Sequence, residues 1–252
     1  MITLTESVLI ERKAEMSETD SRWKSLYQIG GIAALIFVVY SLVTMILLVL
    51  IGGQPETAHE AFNMLEGNKL VGLLRLDMLT LLIVPLYYPI FLSIYVTLKK
   101  SQAAYATLGA LLAFAGVTLF LATPSVFSWI TLSDNYAVAT SAAQKDQLLA
   151  AGEAILASDM WHASGTVIGG VLMLIAALIF SIVMLKSEDF GKGTAYVGNV
   201  SHGLDLIRIF VSFFIPQASV VFMAIAGPLY LVWFPLLARD FFRLDRISSN
   251  ES

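Results

Sequence analysis

Six blocks of apolar residues, each long enough to cross a bilayer, decide most of what this chain can fold into. A spanning helix needs roughly 20 apolar residues to cross a hydrocarbon layer about 30 Å thick. The blocks run over about 27–51, 76–98, 104–131, 161–185, 194–214 and 217–237. They are continuous rather than striped, so they suit lipid better than a single aqueous core. Composition agrees: 58% of the 252 residues are apolar and 13% charged, against about 45–50% and 25% in soluble domains. The sequence therefore predicts an all-α integral membrane bundle of six transmembrane helices. A domain over 27–238 is expected between an N-terminal tail, 1–26, and a C-terminal tail, 239–252. Between the fifth and sixth blocks lies only Ile215-Pro216-Gln217. One helix through both blocks would be far too long, and Pro216 disfavours it, so a tight hairpin is expected.

Orientation follows from Lys and Arg, which accumulate on cytoplasmic flanks. With the N-terminus inside, those flanks hold Arg12, Lys13, Arg22, Lys24, Lys99, Lys100, Lys186, Lys192, Arg239, Arg243 and Arg246, eleven of the fifteen basic residues. Lys69 and Lys145 fall outside, and Arg75 and Arg208 at or within helices. Both termini are thus predicted to be cytoplasmic. Trp129 and Trp161 fall at the expected outer interface and Trp23 and Trp233 at the inner one, where amphipathic rings gather. No apolar stretch directly follows Met1, so the first block reads as an uncleaved anchor, and there is no lipidation box.

Several function classes are excluded or weakened. The net charge of −4 comes with no basic patch for nucleic acid. The absence of cysteine excludes disulfides and thiolate metal sites. No internal repeat is evident, which weakens an inverted-repeat transporter. No cofactor is expected, and the expected partners are membrane lipids.

Ionisable side chains inside a span are costly and mark candidate sites. In the fifth block Asn199, His202, Asp205 and Arg208 recur every third residue, so each touches the next along the helix. Each such step turns about 300°, so the stripe winds around the helix. Two readings are open. Asp205 and Arg208 form an ion pair that pins helix packing, or His202 and Asp205 belong to a substrate or proton site. Arg75 and Asp77 open the second block, and Asp159 and His162 open the fourth. Singly these read as interfacial residues reaching water, with Asp159 as a helix N-cap. Together with Arg208 they would line one polar pocket on the outer face. A zinc site would need His162, Asp159 and His202 together. The expected depths of the two histidines, about 15–20 Å apart, oppose that, and His59 reads as a solvated loop residue.

Two longer connections, about 52–75 and 132–160, are expected outside. The stretch 137–157 has a helix-forming composition, with Leu148, Leu149, Ile155 and Leu156 on one weakly apolar face. It either lies on the membrane surface or extends the fourth span. Gly165 and Gly169 form a GxxxG pattern that permits close helix contact, including self-association of two chains. Pro85, Pro89, Pro228 and Pro235 predict kinks.

Leu148–Ala157 (LLAAGEAILA), Ser181–Gly198 (SIVMLKSEDFGKGTAYVG) and Val232–Leu244 (VWFPLLARDFFRL) together resemble the DUF4386-like family of small prokaryotic multi-pass membrane proteins. The likeness covers about residues 27–244 and is strongest after 140. Met184–Gly198 matches the family pattern of a helix exit, a short cytoplasmic turn and an Ala-Tyr-x-Gly re-entry. The resemblance implies the topology above and a plasma-membrane location, but no catalytic or binding residues. Three functions are left: a transporter or small-ligand-binding protein with a polar site open to the outer face, a structural or partner-binding membrane protein, and, last, an intramembrane metal-dependent hydrolase.

Overall fold

The computed structural model describes residues 23–123, 126–158 and 162–250. Among them every regular element is helical. The order is α1 (Lys24–Ile51), α2 (Ala58–Gly67), α3 (Lys69–Arg75), α4 (Met78–Ile83), a 3₁₀ turn (Val84–Leu86), α5 (Tyr87–Ala122), α6 (Val126–Val138), α7 (Ala142–Ala157), α8 (Ser164–Met184), α9 (Lys192–Ser212) and α10 (Pro216–Asn250). Among the described residues four helical stretches are long and apolar enough to cross a membrane: Lys24–Ile51, Met78–Val138, Ser164–Met184 and Pro216–Ile247. α9 has spanning length but is too polar to join them.

The long second stretch is not one rod. Pro85 falls in the 3₁₀ turn that precedes α5, as expected of a residue that lacks an N–H. Within α5, Gln102 leaves helical geometry (φ −140°, ψ 61°), next to Lys99 and Lys100 where the sequence places a turn. The expected span 104–131 is shorter than anticipated. α5 ends at Ala122, and residues 126–131 belong to a separate helix, α6. The expected C-terminal tail is helical through Asn250.

The helices gather into two compact units. The first comprises the described residues up to Val38, Leu86–Ala113 and those from Leu174 onward. Its core includes Tyr27, Phe37, Ile90, Phe91, Phe180, Trp233, Phe234 and Phe241. α9 and α10 form the expected hairpin. α9 closes at Ser212, and Pro216 takes the first position of α10, where its missing N–H costs nothing. Close packing at Gly30 brings the α1 backbone against Ser93 and Phe241, so even a methyl there would collide.

The second unit comprises Val39–Pro85 and Phe114–Met173. The expected loops 52–75 and 132–160 are mostly helical here. α1 stops at Gly52, whose positive φ (87°) suits glycine. Thr57 caps α2 through the Glu60 N–H, Asn68 caps α3 through Leu70 and Val71, and Ser141 caps α7 through Gln144. α2, α6 and α7 enclose a small aromatic core in which Phe62 meets Trp129 edge-on at 5.9 Å and Tyr136 at 5.0 Å. Trp129 is therefore a buried core residue, not an interfacial anchor. The predicted apolar face of 137–157 is real: Leu148, Leu149, Ile155 and Leu156 are half-buried around the fully buried Gly152. α7 is a helix of its own, ending at Ser158 before α8 begins at Ser164. Gly165 and Gly169 pack within the chain, Gly165 on Thr123 and Gly169 on the α5 backbone at Gly116 and Phe120.

Candidate functional site

The polar stripe of α9 divides once its surroundings are drawn. Asn199 turns its amide back onto its own helix, donating to the Ala195 carbonyl at 2.9 Å. His202 is buried, with Nδ1 2.6 Å from the Gly198 carbonyl. A carbonyl only accepts, so Nδ1 carries the proton, and in a neutral ring Nε2 keeps its lone pair. The ring lies edge-on to Trp233 at 4.6 Å and to Tyr230 at 5.3 Å, both on α10. Asp205 spends both carboxylate oxygens: Oδ1 accepts from Arg208 Nε at 2.5 Å and Oδ2 from the Tyr230 hydroxyl at 3.2 Å. His202, Asp205 and Arg208 thus form one cluster with Tyr230, and Asn199 stands apart from it.

Arg208 is the unsaturated member. Its Nε holds Asp205, while its two terminal nitrogens have no hydrogen-bond partner among the described residues. The Asp205 and Arg208 side chains are 21% and 26% exposed, so the pair is not sealed in the protein.

A second polar arrangement, which the sequence did not single out, fastens the opposite end of the hairpin. Asp240 on α10 is fully buried and accepts from the Gly191 N–H at 2.9 Å, the Thr194 hydroxyl at 2.5 Å and Arg239 at 3.1 Å. Arg243 donates to the Asp189 carbonyl, and the Ser187 hydroxyl donates to the Asp189 carboxylate at 3.1 Å. The turn 185–191 is thereby tied to α10. Trp233, expected at an interface, is buried beside His202. Its indole N–H and the Ser181 hydroxyl lack partners among the described residues, and both abut Gly198.

The remaining predicted site residues lie in the second unit. Arg75 ends α3 and donates to the Gly53 carbonyl at 2.6 Å and to Glu60 at 2.9 Å. Asp77, in the left-handed region (φ 59°) ahead of α4, accepts from Gln54. The backbone N–H of Glu56, followed by the Arg75 guanidinium, holds the Glu60 carboxyl below the usual carboxylate range. These contacts organise the connection from α1 to α4. His162 is exposed ahead of α8, while Asp159 and Trp161 lie outside the described residues. His59 stands edge-on to Tyr136 at 6.3 Å. No three metal-binding side chains gather among the described residues.

No family model, curated protein or solved structure matches the chain. The apolar helices are compatible with a membrane location. The site must be read from its own chemistry.

Proposed function

We propose that this chain is a prokaryotic plasma-membrane protein that crosses the bilayer six times, with both termini cytoplasmic, and binds a small anionic ligand through Arg208. Six crossings are supported by dividing the long apolar stretch at Gln102. This leaves Met78–Ser101 and Ala103–Ala122, about 36 and 30 Å of helix at 1.5 Å per residue. α9 is the sixth crossing, about 31 Å long. Its exposed side chains include Tyr196, Val200, Ile207 and Phe210, all apolar or aromatic, while His202 turns inward. The Lys and Arg distribution supports the orientation, which assigns α2, α3, α6 and α7 to the outer side of the membrane. The quoted segments support kinship with the DUF4386-like family.

The observation that carries ligand binding is the half-used guanidinium of Arg208. A purely structural ion pair is best made bidentate, whereas this one uses Nε alone and leaves both terminal nitrogens without a partner among the described residues. Arg208 lies four residues, about 6 Å, from the outer end of α9, within reach of the interface for a long side chain. A carboxylate or phosphate group is the matching acceptor.

A second reading, that the cluster only fastens the hairpin, is favoured by the saturated oxygens of Asp205. Thermal unfolding of detergent-purified protein with inorganic phosphate or citrate separates the two. Ligand binding predicts an anion-dependent rise in melting temperature that Arg208→Gln abolishes. An equal response in both proteins, or none in the wild type, sinks it in favour of the fastener. Topology is tested in the naturally cysteine-free chain with single exposed cysteines and a membrane-impermeant maleimide applied to whole cells. Gln144→Cys and Gln217→Cys should label, and Ser101→Cys and Glu188→Cys should not. Labelling of Glu188→Cys alongside Gln217→Cys would remove α9 as a crossing.

A further inference from the structure

We infer a binding groove for an anionic phospholipid of the cytoplasmic leaflet, formed where the break in α5 faces the end of α8. An open cavity of about 250 Å³ is lined by Gln102, Tyr105, Ile179, Ile182, Val183 and Lys186. That volume is below the ~300–1,000 Å³ of pockets that enclose a whole small ligand. It suits a segment of acyl chain whose remainder stays in the bilayer.

The lining supplies the two chemistries that a phospholipid needs, in the right order. Ile179, Ile182 and Val183 give an apolar wall along the last turns of α8, with Ile182 and Tyr105 exposed to what occupies the groove. Lys186 follows two residues beyond the same helix, and Gln102 and Tyr105 of α5 complete the lining. Its ammonium makes no ion pair or hydrogen bond among the described residues. Neighbouring cations are engaged: Lys192 donates to the Leu185 carbonyl, and Lys99 lies over the Trp23 and Tyr95 rings at 5.0 and 5.4 Å. Gln102, where α5 departs from helical geometry, is one of the lining residues. A phosphate seated on Lys186 leaves one acyl chain lying along Ile182 and Ile179. Basic pockets between helices on the cytoplasmic side hold acidic headgroups in this way.

This inference rests on the six-span reading, which sets Lys186 and Gln102 at the cytoplasmic interface. Delipidated protein in nonionic detergent is melted with phosphatidylglycerol, phosphatidylcholine or glycerol 3-phosphate. Phosphatidylglycerol should stabilise most and free glycerol phosphate not at all. Lys186→Gln should weaken the phosphatidylglycerol response about fivefold, the equivalent of roughly 1 kcal/mol for one interfacial lysine. Ile182→Trp, which fills the groove from an exposed position, should suppress the response to both lipids. Equal stabilisation by the two lipids, an unaltered preference in Lys186→Gln, or full stabilisation by glycerol phosphate overturns the inference. Maleimide labelling reports topology separately: altered labelling with lipid preference intact removes the leaflet assignment and leaves the groove.

Discussion

Replacing Gly169 with alanine tests the packing of α5 against α8 within the second unit. A methyl at Gly169 would stand 2.6 Å from the Gly116 carbonyl oxygen, 2.8 Å from the Phe120 nitrogen and 3.2 Å from its Cα. Ordinary contact begins near 3.4 Å, so the closest approach must open by 0.8 Å, from 2.6 to 3.4 Å. All three atoms are backbone, and no side-chain rotation can relieve them. Overpacking of this kind costs about 1–3 kcal/mol, and a rigid backbone neighbour argues for the upper end. Alanine's better helix propensity offsets about 1 kcal/mol, leaving a net loss of about 2 kcal/mol. For a chain of this size that is a fall of about 4–8 °C in melting temperature, read by circular dichroism in detergent. Gly203→Ala in α9 is the control: the nearest atom from another helix, Leu178 Cδ2, lies 3.9 Å from the new methyl, so it should match the wild type or gain up to about 1 kcal/mol. Wild-type melting of Gly169→Ala would refute the close crossing, because no flexible group there can absorb the methyl.

Asp240→Ala should be the most damaging single change at the hairpin. It strands the part-buried Gly191 N–H and the buried Thr194 hydroxyl at about 1–3 kcal/mol each, and Asp240→Asn, which keeps one acceptor oxygen, should lose less in the same melt. Tyr230→Phe removes one donor to Asp205 and leaves the Arg208 contact, so it should cost about 1 kcal/mol; a loss several times larger would show that Tyr230 does more than this bond. The connection at Glu60 should be acid-labile. Its carboxyl titrates below the ordinary value of 4.5, so its stabilising contribution is present above that value and is lost as pH falls through the lower folded one. Protection from hydrogen exchange over residues 52–60, taken relative to the intrinsic rate at each pH, should fall in that acid window in the wild type, and Glu60→Gln should remove that fall.

How far the sequence spoke depends on whether a residue's partner lies nearby in the chain. Helical blocks and the turn at Pro216 are local, read from apolar length and from a residue that cannot donate an N–H, and they fell close to expectation. The lysine pair at 99–100 marked the place where α5 breaks. Trp129 and Trp233 misled because an indole at the end of an apolar block looks the same whether it meets headgroups or a buried partner. What buries them is remote: Phe62 and Gly152 for the first, His202 and Gly198 for the second. Asp240 escaped notice beside Arg239, as one more charge after the last apolar block. The Asp205–Arg208 contact was legible because three residues along a helix is a contact distance, but the Tyr230 hydroxyl that takes the second oxygen is 25 residues away.

The pairing of α9 with α10 follows from the cost of α9 alone. On the proposed six-span reading, an isolated α9 would carry Asp205 in the outer half of the bilayer and Arg208 nearer its outer interface, at a cost of up to about 2.5–3.5 kcal/mol per charge on the insertion scale, and His202 adds a polar ring. Forming the ion pair cancels the net charge but leaves one carboxylate oxygen and the imidazole needing cover. α10 supplies both, through the Tyr230 hydroxyl and the Trp233 face, and it buries Asp240 against the first turn of α9. The contacts run antiparallel along the hairpin, Thr194 with Asp240, His202 with Trp233 and Asp205 with Tyr230, so one register satisfies all of them. The short turn before Pro216 keeps the two helices adjacent from the moment both are made. Among the described residues the terminal nitrogens of Arg208 are left without a partner, and a fastener alone gives no reason for them.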